Sequence, residues 1–130
     1  MKKIFLLYLL FLTSISSKSQ EYKDSTAFDK IEKFKNGRAI VYKNGYFGVL
    51  DTSGKIILLV IYDKIKKYRK NIYLISENSR LGFADVNGKI LLKPEYDYIE
   101  KFGRKKFAKI MKNGRYGLID RSFRVIVSAE

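Results

Sequence analysis

Six aspartates recur at regular intervals along this chain, and they are the first side chains to weigh for chemistry. Asp29, Asp63 and Asp97 form one series; Asp51, Asp85 and Asp120 form another. A row of carboxylates could hold calcium or move protons, but a calcium loop gathers several oxygen ligands within about a dozen residues. None of these segments does so. Each aspartate stands where an apolar run gives way to turn formers, the place where a carboxylate caps backbone N–H groups. Neither a metal nor a cofactor is expected. The chain has no histidine and no cysteine, which removes the commonest general base, the thiol nucleophile and the usual transition-metal ligands. Glu77 and Glu95 remain as a carboxylate pair for glycoside cleavage, with nothing to fix their separation. The residue types point away from an enzyme.

The basic residues carry more functional colour. There are 27 lysines and arginines against 13 acidic residues, a formal net charge of +14. Lys33, Lys67 and Lys101 hold equivalent places, so stacked units would set them in a row. Lys64, Lys66, Lys67, Arg69 and Lys70 crowd one segment, and Arg104, Lys105, Lys106, Lys109 and Lys112 another, with Tyr68, Phe102 and Phe107 interleaved. Such a ridge concentrates anions and speeds their encounter. The candidate binding set is Lys33, Lys64, Lys66, Lys67, Arg69, Lys70, Lys101, Arg104, Lys105 and Lys106. The competing reading is a solvated face that keeps a β-rich protein soluble and its edges unpaired.

What positions these residues is a repeat. Phe28-Asp29-Lys30-Ile31, Tyr62-Asp63-Lys64-Ile65 and Tyr96-Asp97-Tyr98-Ile99 stand about 34 residues apart, and Phe47-Gly48, Leu81-Gly82 and Tyr116-Gly117 keep nearly the same beat. A period of that length marks small units that bury their apolar faces against one another. Helical arrays share the period, but these runs are rich in Ile, Val, Tyr and Phe and are interrupted by turn formers, which suits strands. Each unit predicts three strands, such as 38–43, 46–51 and 55–59, with Asn44-Gly45, Asn78-Ser79 and Asn113-Gly114 closing the hairpins. Phe123 stands where the second turn expects glycine, so the last turn should be altered. Ala39, Val41, Tyr73, Ile75, Ala108 and Ile110 are the predicted core, and Ile40, Leu74 and Lys109 a face partly covered by adjacent units. The strand glycines Gly48, Gly82 and Gly117 are expected to admit an aromatic from a neighbouring unit.

The fold expected is all-β: three tandem repeats of short antiparallel strands, β-meander units at about 28–61, 62–95 and 96–130, in an open stacked array. Three three-stranded units are too few for a propeller, which closes with about four or more four-stranded blades. Residues 1–19 do not belong to the repeats. Lys2 and Lys3, the apolar run from Ile4 to Leu12 and the small residues Ser17-Lys18-Ser19 read as a signal peptide. The run is about half the ~20 residues that a spanning helix needs. Residues 20–130 are then one exported domain, in the periplasm, at the cell surface or secreted, and without cysteine it is held by packing alone.

In this alignment the chain resembles the WG-repeat (KWG) family. Tyr46-Phe47-Gly48-Val49-Leu50-Asp51 with Gly54 and Tyr62-Asp63 follows that pattern, as does Arg80-Leu81-Gly82-Phe83-Ala84-Asp85 with Gly88, Pro94 and Tyr96-Asp97. Phe47, Leu81 and Tyr116 replace the namesake tryptophan, and only Pro94 keeps the proline of the closing strand. The resemblance implies a tandem β-repeat protein, often exported, with no assigned common activity. The expected role is a non-catalytic interaction or scaffolding module of the envelope or extracellular space, with an unidentified protein as its first expected partner. The alternative is a binder of anionic polymers, an acidic glycan or a membrane surface sooner than nucleic acid.

Overall fold

A computed structural model describes residues 27–130; the expected signal peptide and residues 20–26 lie outside the described residues. Twelve strands form three antiparallel meanders in chain order. Sheet 1 holds β1 (Lys30–Ile31), β2 (Arg38–Lys43), β3 (Tyr46–Asp51) and β4 (Ile56–Tyr62). Sheet 2 holds β5 (Lys64–Arg69), β6 (Ile72–Glu77), β7 (Arg80–Asp85) and β8 (Ile90–Tyr96). Sheet 3 holds β9 (Tyr98–Ile99), β10 (Phe107–Lys112), β11 (Arg115–Asp120) and β12 (Val125–Val127). The all-β stack of three repeat units is as expected, but each sheet has a fourth strand. It comes from the Tyr-Asp-x-Ile phrase, which straddles two sheets: Tyr62 ends β4 and Lys64 opens β5, so Asp63 is the joint.

The aspartates cap, as their placement predicts. In the first series the carboxylates of Asp29, Asp63 and Asp97 accept from the backbone N–H of Asn44, Ser79 and Asn113 at 2.9, 2.9 and 2.8 Å. Asp63 and Asp97 tie the joints between sheets to the tip of the next hairpin, and Asp29 does the same for the start of sheet 1. Those tips have left-handed dihedrals, φ 52° and 87° at Asn44-Gly45 and 51° and 63° at Asn78-Ser79, the geometry a two-residue hairpin needs. In the second series Asp51 Oδ1 accepts from the backbone N–H groups of Ser53 and Lys55, and Asp85 and Asp120 repeat the pattern. The Ser53 hydroxyl, above all, holds the Asp51 carboxyl below its ordinary value of 3.8, helped by those backbone donors. For Asp120 the backbone N–H of Arg124 leads, and for Glu100 the Lys105 ammonium. A carboxyl depressed in the folded state stabilises above its unfolded pKa and loses that contribution as pH falls through the folded one. The melting temperature should therefore hold from neutral pH down to the ordinary carboxylate range and then decline below 3.8. Asp51→Asn combined with Asp120→Asn should flatten part of that acid limb in melts followed across pH.

Period-two alternation sends Tyr73 and Ile75 to one face of sheet 2 and Leu74 to the other. Ile40, Val49 and Leu58 of sheet 1 meet Ile65, Tyr73, Ile75 and Ala84 of sheet 2 in one buried cluster. Phe83 and Leu92 meet Ala108, Ile110, Ile119, Phe102 and Phe123 in the next. The predicted core residues are all buried, and the second set grades as expected from Ile40, buried, through Leu74 to an exposed Lys109. Two expectations are corrected. The strand glycines do not receive an aromatic from a neighbouring unit; the adjoining strand of the same sheet comes against them, with backbone nearest at Gly82 and Gly117 and the Val60 side chain nearest at Gly48. A Cβ on Gly82 would lie 2.4 Å from the Leu92 carbonyl oxygen and 2.7 Å from the Pro94 nitrogen. The last turn is also unaltered: Phe123 N donates to Asp120 O at 2.9 Å, as Gly54 and Gly88 do to Asp51 and Asp85 at 3.1 Å. Phe123 keeps φ at 65° and is buried.

Candidate anion-binding cleft

Strand β5 alternates an inward Ile65 with outward Lys64 and Lys66, until a bulge between Lys67 and Arg69 breaks the register with β6. A bulge adds one residue and re-aims the side chains around it. Here Tyr68 turns inward, its ring 4.8 Å from Phe83 and 6.4 Å from Phe123. Arg69 then lies over the Phe123 ring at 4.5 Å, and its guanidinium donates to the Arg121 carbonyl oxygen. Arg121 in turn lies over Phe102 at 5.6 Å and donates to the Gly103 carbonyl oxygen at 2.7 Å. Arg69 thus clamps sheet 2 to the third unit, laid on the buried Phe123 ring, while Arg121 on Phe102 braces the third unit itself. The joint between sheets 1 and 2 uses Arg38, whose Nε donates to the Val86 carbonyl oxygen at 2.6 Å. Val86 and Arg121 are equivalent turn positions, so both joints hang on the same carbonyl from different arginines.

Between these joints the surface opens into a cleft of about 620 Å³, lined by Lys66, Lys67, Tyr68, Arg69, Lys101 and Arg121 among others, with no carboxylate in its wall. A second cleft of about 460 Å³ runs on from it, lined by Lys33, Lys35, Lys66 and Lys67, with Glu32 at its edge. A third of about 260 Å³ adds Lys70 and Arg38 and again includes Lys67. Lys67 belongs to all three, so the row of Lys33, Lys67 and Lys101 expected from the repeat is realised as one continuous basic rim. Of the candidate set, Lys33, Lys66, Lys67, Arg69, Lys70 and Lys101 come together there. Lys64 opens β5 and lines none of these clefts. Arg104, Lys105 and Lys106 stand apart on an exposed loop, with Lys105 Nζ 2.6 Å from the Glu100 carboxylate. Sequence reasoning missed Lys35, Arg38 and Arg121, which sit outside the dense basic runs; the Arg-aromatic pairing that seats Arg121 joins residues far apart in the chain.

Among the described residues no three acidic side chains come together as a metal site would need. The Glu95 carboxylate is 3.4 Å from Lys112 Nζ, and Glu77 ends β6 opposite Arg80. The profile of the WG containing repeat matches residues 26–47, 47–80 and 82–116. The chain belongs to the WG-repeat family. No curated protein and no solved structure matches it. Set on the sheets, the family's repeat is out of phase with them. The match at 47–80 takes β3 and β4 of sheet 1 together with β5 and β6 of sheet 2. The matches at 47–80 and 82–116 therefore each span a joint instead of filling a sheet, while that at 26–47 stays on sheet 1, and the basic rim runs along the joints.

Proposed function

We propose that this WG-repeat chain is an exported, non-catalytic module that holds an anionic polymer along the basic rim. One observation supports this reading above the others: Lys33, Lys35, Lys66, Lys67, Lys70 and Lys101 line connected clefts, and none is in an ion pair with a described residue. Cations spent on holding the fold together would be paired, as Arg80 is with Asp97 at 3.2 Å. Stacked sheets lie about 10 Å apart, so equivalent lysines offer charge at intervals that a polymer can follow and a small anion cannot. The signal-peptide character of residues 1–19 supports export, where acidic glycans are met sooner than nucleic acid.

Retention on immobilised heparin, eluted with rising salt, tests the reading, because binding through released counterions weakens with ionic strength. Lys67→Glu with Lys101→Glu should weaken binding by about tenfold or more, which is ~1.4 kcal/mol, with the melting temperature unchanged. Lys93→Glu, at an exposed position of β8 that lines none of these clefts, should change it little. A parent chain that passes through unretained, or a Lys93→Glu effect as large as the double variant's, overturns the proposal.

A further inference from the structure

We propose that the outward face of sheet 3 is a dimer interface, covered in solution by the same face of a second copy of this chain. The inference is independent of the basic rim and starts from repeat equivalence. Ile40, Phe47, Val49 and Leu58 on sheet 1, and Leu74, Phe83 and Leu92 on sheet 2, form the faces against which the next sheet packs, with Leu81 beside them in the cleft wall. The equivalent residues on sheet 3 are Lys109, Tyr116, Leu118 and Val127, and among the described residues no sheet covers them. Tyr116 is 64% exposed, Val127 48% and the neighbouring Tyr98 47%. With Glu100 they line a depression of about 580 Å³. Its wall carries one cation and one carboxylate, a near-neutral patch on a chain of net charge +14. An anion has little reason to settle there.

The residue types suit a face that is wet in the monomer and buried in a complex. Tyrosine stands where the inner units have Phe47 and Leu81, keeping the ring of Phe47 and adding a hydroxyl, the kind of side chain enriched at interfaces. Lysine replaces Ile40 and Leu74, with a stem that can lie along apolar surface while its head reaches water. The occupant follows from the other end of the stack. A head-to-tail filament would need the outward face of sheet 1, but Val41 and Leu50 on that face are already buried, at 1% and 3% exposure. Among the described residues the end face of sheet 3 is open and that of sheet 1 is not, and a face that meets its own copy makes a closed two-fold pair. Two sheets so placed pack as a sandwich with aligned strands, and the dyad can set Lys109 opposite Glu100 of the second copy.

Sedimentation equilibrium of the chain as recovered from cells should show a reversible monomer–dimer mixture. The mixture should shift toward dimer as salt screens the net charge, opposite to the salt response of polymer retention. Tyr116→Glu with Val127→Glu should weaken the dimer by about tenfold or more without lowering the melting temperature of the dilute chain. Because the chain has no cysteine, Leu118→Cys supplies a single thiol, and a short bismaleimide should link it into covalent dimers. Leu59→Cys, equally apolar and 61% exposed on β4, should stay monomeric. A chain monomeric at high micromolar concentration, a dimer indifferent to the Tyr116 and Val127 changes, capture of this face only by a different protein, or equal crosslinking at Leu59 overturns the proposal.

Discussion

Gly82→Val should destabilise the domain by about 3 kcal/mol or more, the scale of severe overpacking, and lower its melting temperature by on the order of 15 °C. Gly82 lies opposite Ile75 in the β6–β7 pair, with φ outside the left-handed region, so the backbone itself would tolerate a side chain. Space is what is missing. A Cβ would meet the Leu92 carbonyl oxygen at 2.4 Å, the Pro94 nitrogen at 2.7 Å and the Lys93 carbonyl carbon at 2.8 Å. All three are backbone atoms, and they belong to the bulged stretch of β8 that brings Tyr96 opposite Leu81. Relief would require β8 to withdraw, and β8 carries Leu92 and Tyr96 into the core between sheets 2 and 3. Gly114→Ala is the informative contrast. That hairpin glycine has φ at +79° but nothing within 4 Å of a new Cβ, so the loss should be only the ~1 kcal/mol of a left-handed alanine. Thermal and denaturant melts of the two variants should separate clearly; a Gly82→Val curve that overlays the parent would remove the bulge as the reason for this glycine.

The second large effect is at Phe123, and its diagnostic is an ordering. Phe123→Ala should cost about 3–5 kcal/mol, the usual range for emptying a buried aromatic site. The ring is 2% exposed and lies 4.3 Å from Phe83 and 6.0 Å from Phe102, with the Arg69 guanidinium on its face. Phe123→Gly removes one more carbon yet should be less damaging than Phe123→Ala by about 1 kcal/mol, because φ at 65° strains every residue but glycine. At most buried positions glycine is the worse replacement. Denaturant melts that place Phe123→Gly below Phe123→Ala would show that the turn does not keep its left-handed form.

The same residue shows where reading the sequence stops. Glycine at the equivalent positions Gly54 and Gly88 makes the turn at Phe123 read as altered. The Asp120 cap is strong enough to keep the turn, and the contacts that offset the strain come from Tyr68 and Phe83 on sheet 2. Local chemistry was legible: the hairpin tips, the capping aspartates, the alternation of Tyr73, Leu74 and Ile75, and the row of Lys33, Lys67 and Lys101. Each of these is encoded within a few residues or repeats with the period, because turn dihedrals and pleat alternation depend on near neighbours.

The fourth strand of each sheet was not legible in this way. β1 and β9 are two residues long, too short for any alternation to register, and β5, though six residues long, has a single buried position among its lysines. Asp63 as a joint, the bulge that turns Tyr68 inward, and the arginines hung on the Val86 and Arg121 carbonyls all depend on which segments meet across sheets. So does the bareness of Tyr116 and Val127. Residue order along the chain dictated the three β units and their core faces, since burial of one pleated face follows from side-chain period alone. The phase of the sheets against the repeats, the basic clefts at their joints and the uncovered end of the stack were decided by long-range packing, whose energy belongs to pairs of residues that no local pattern brings together.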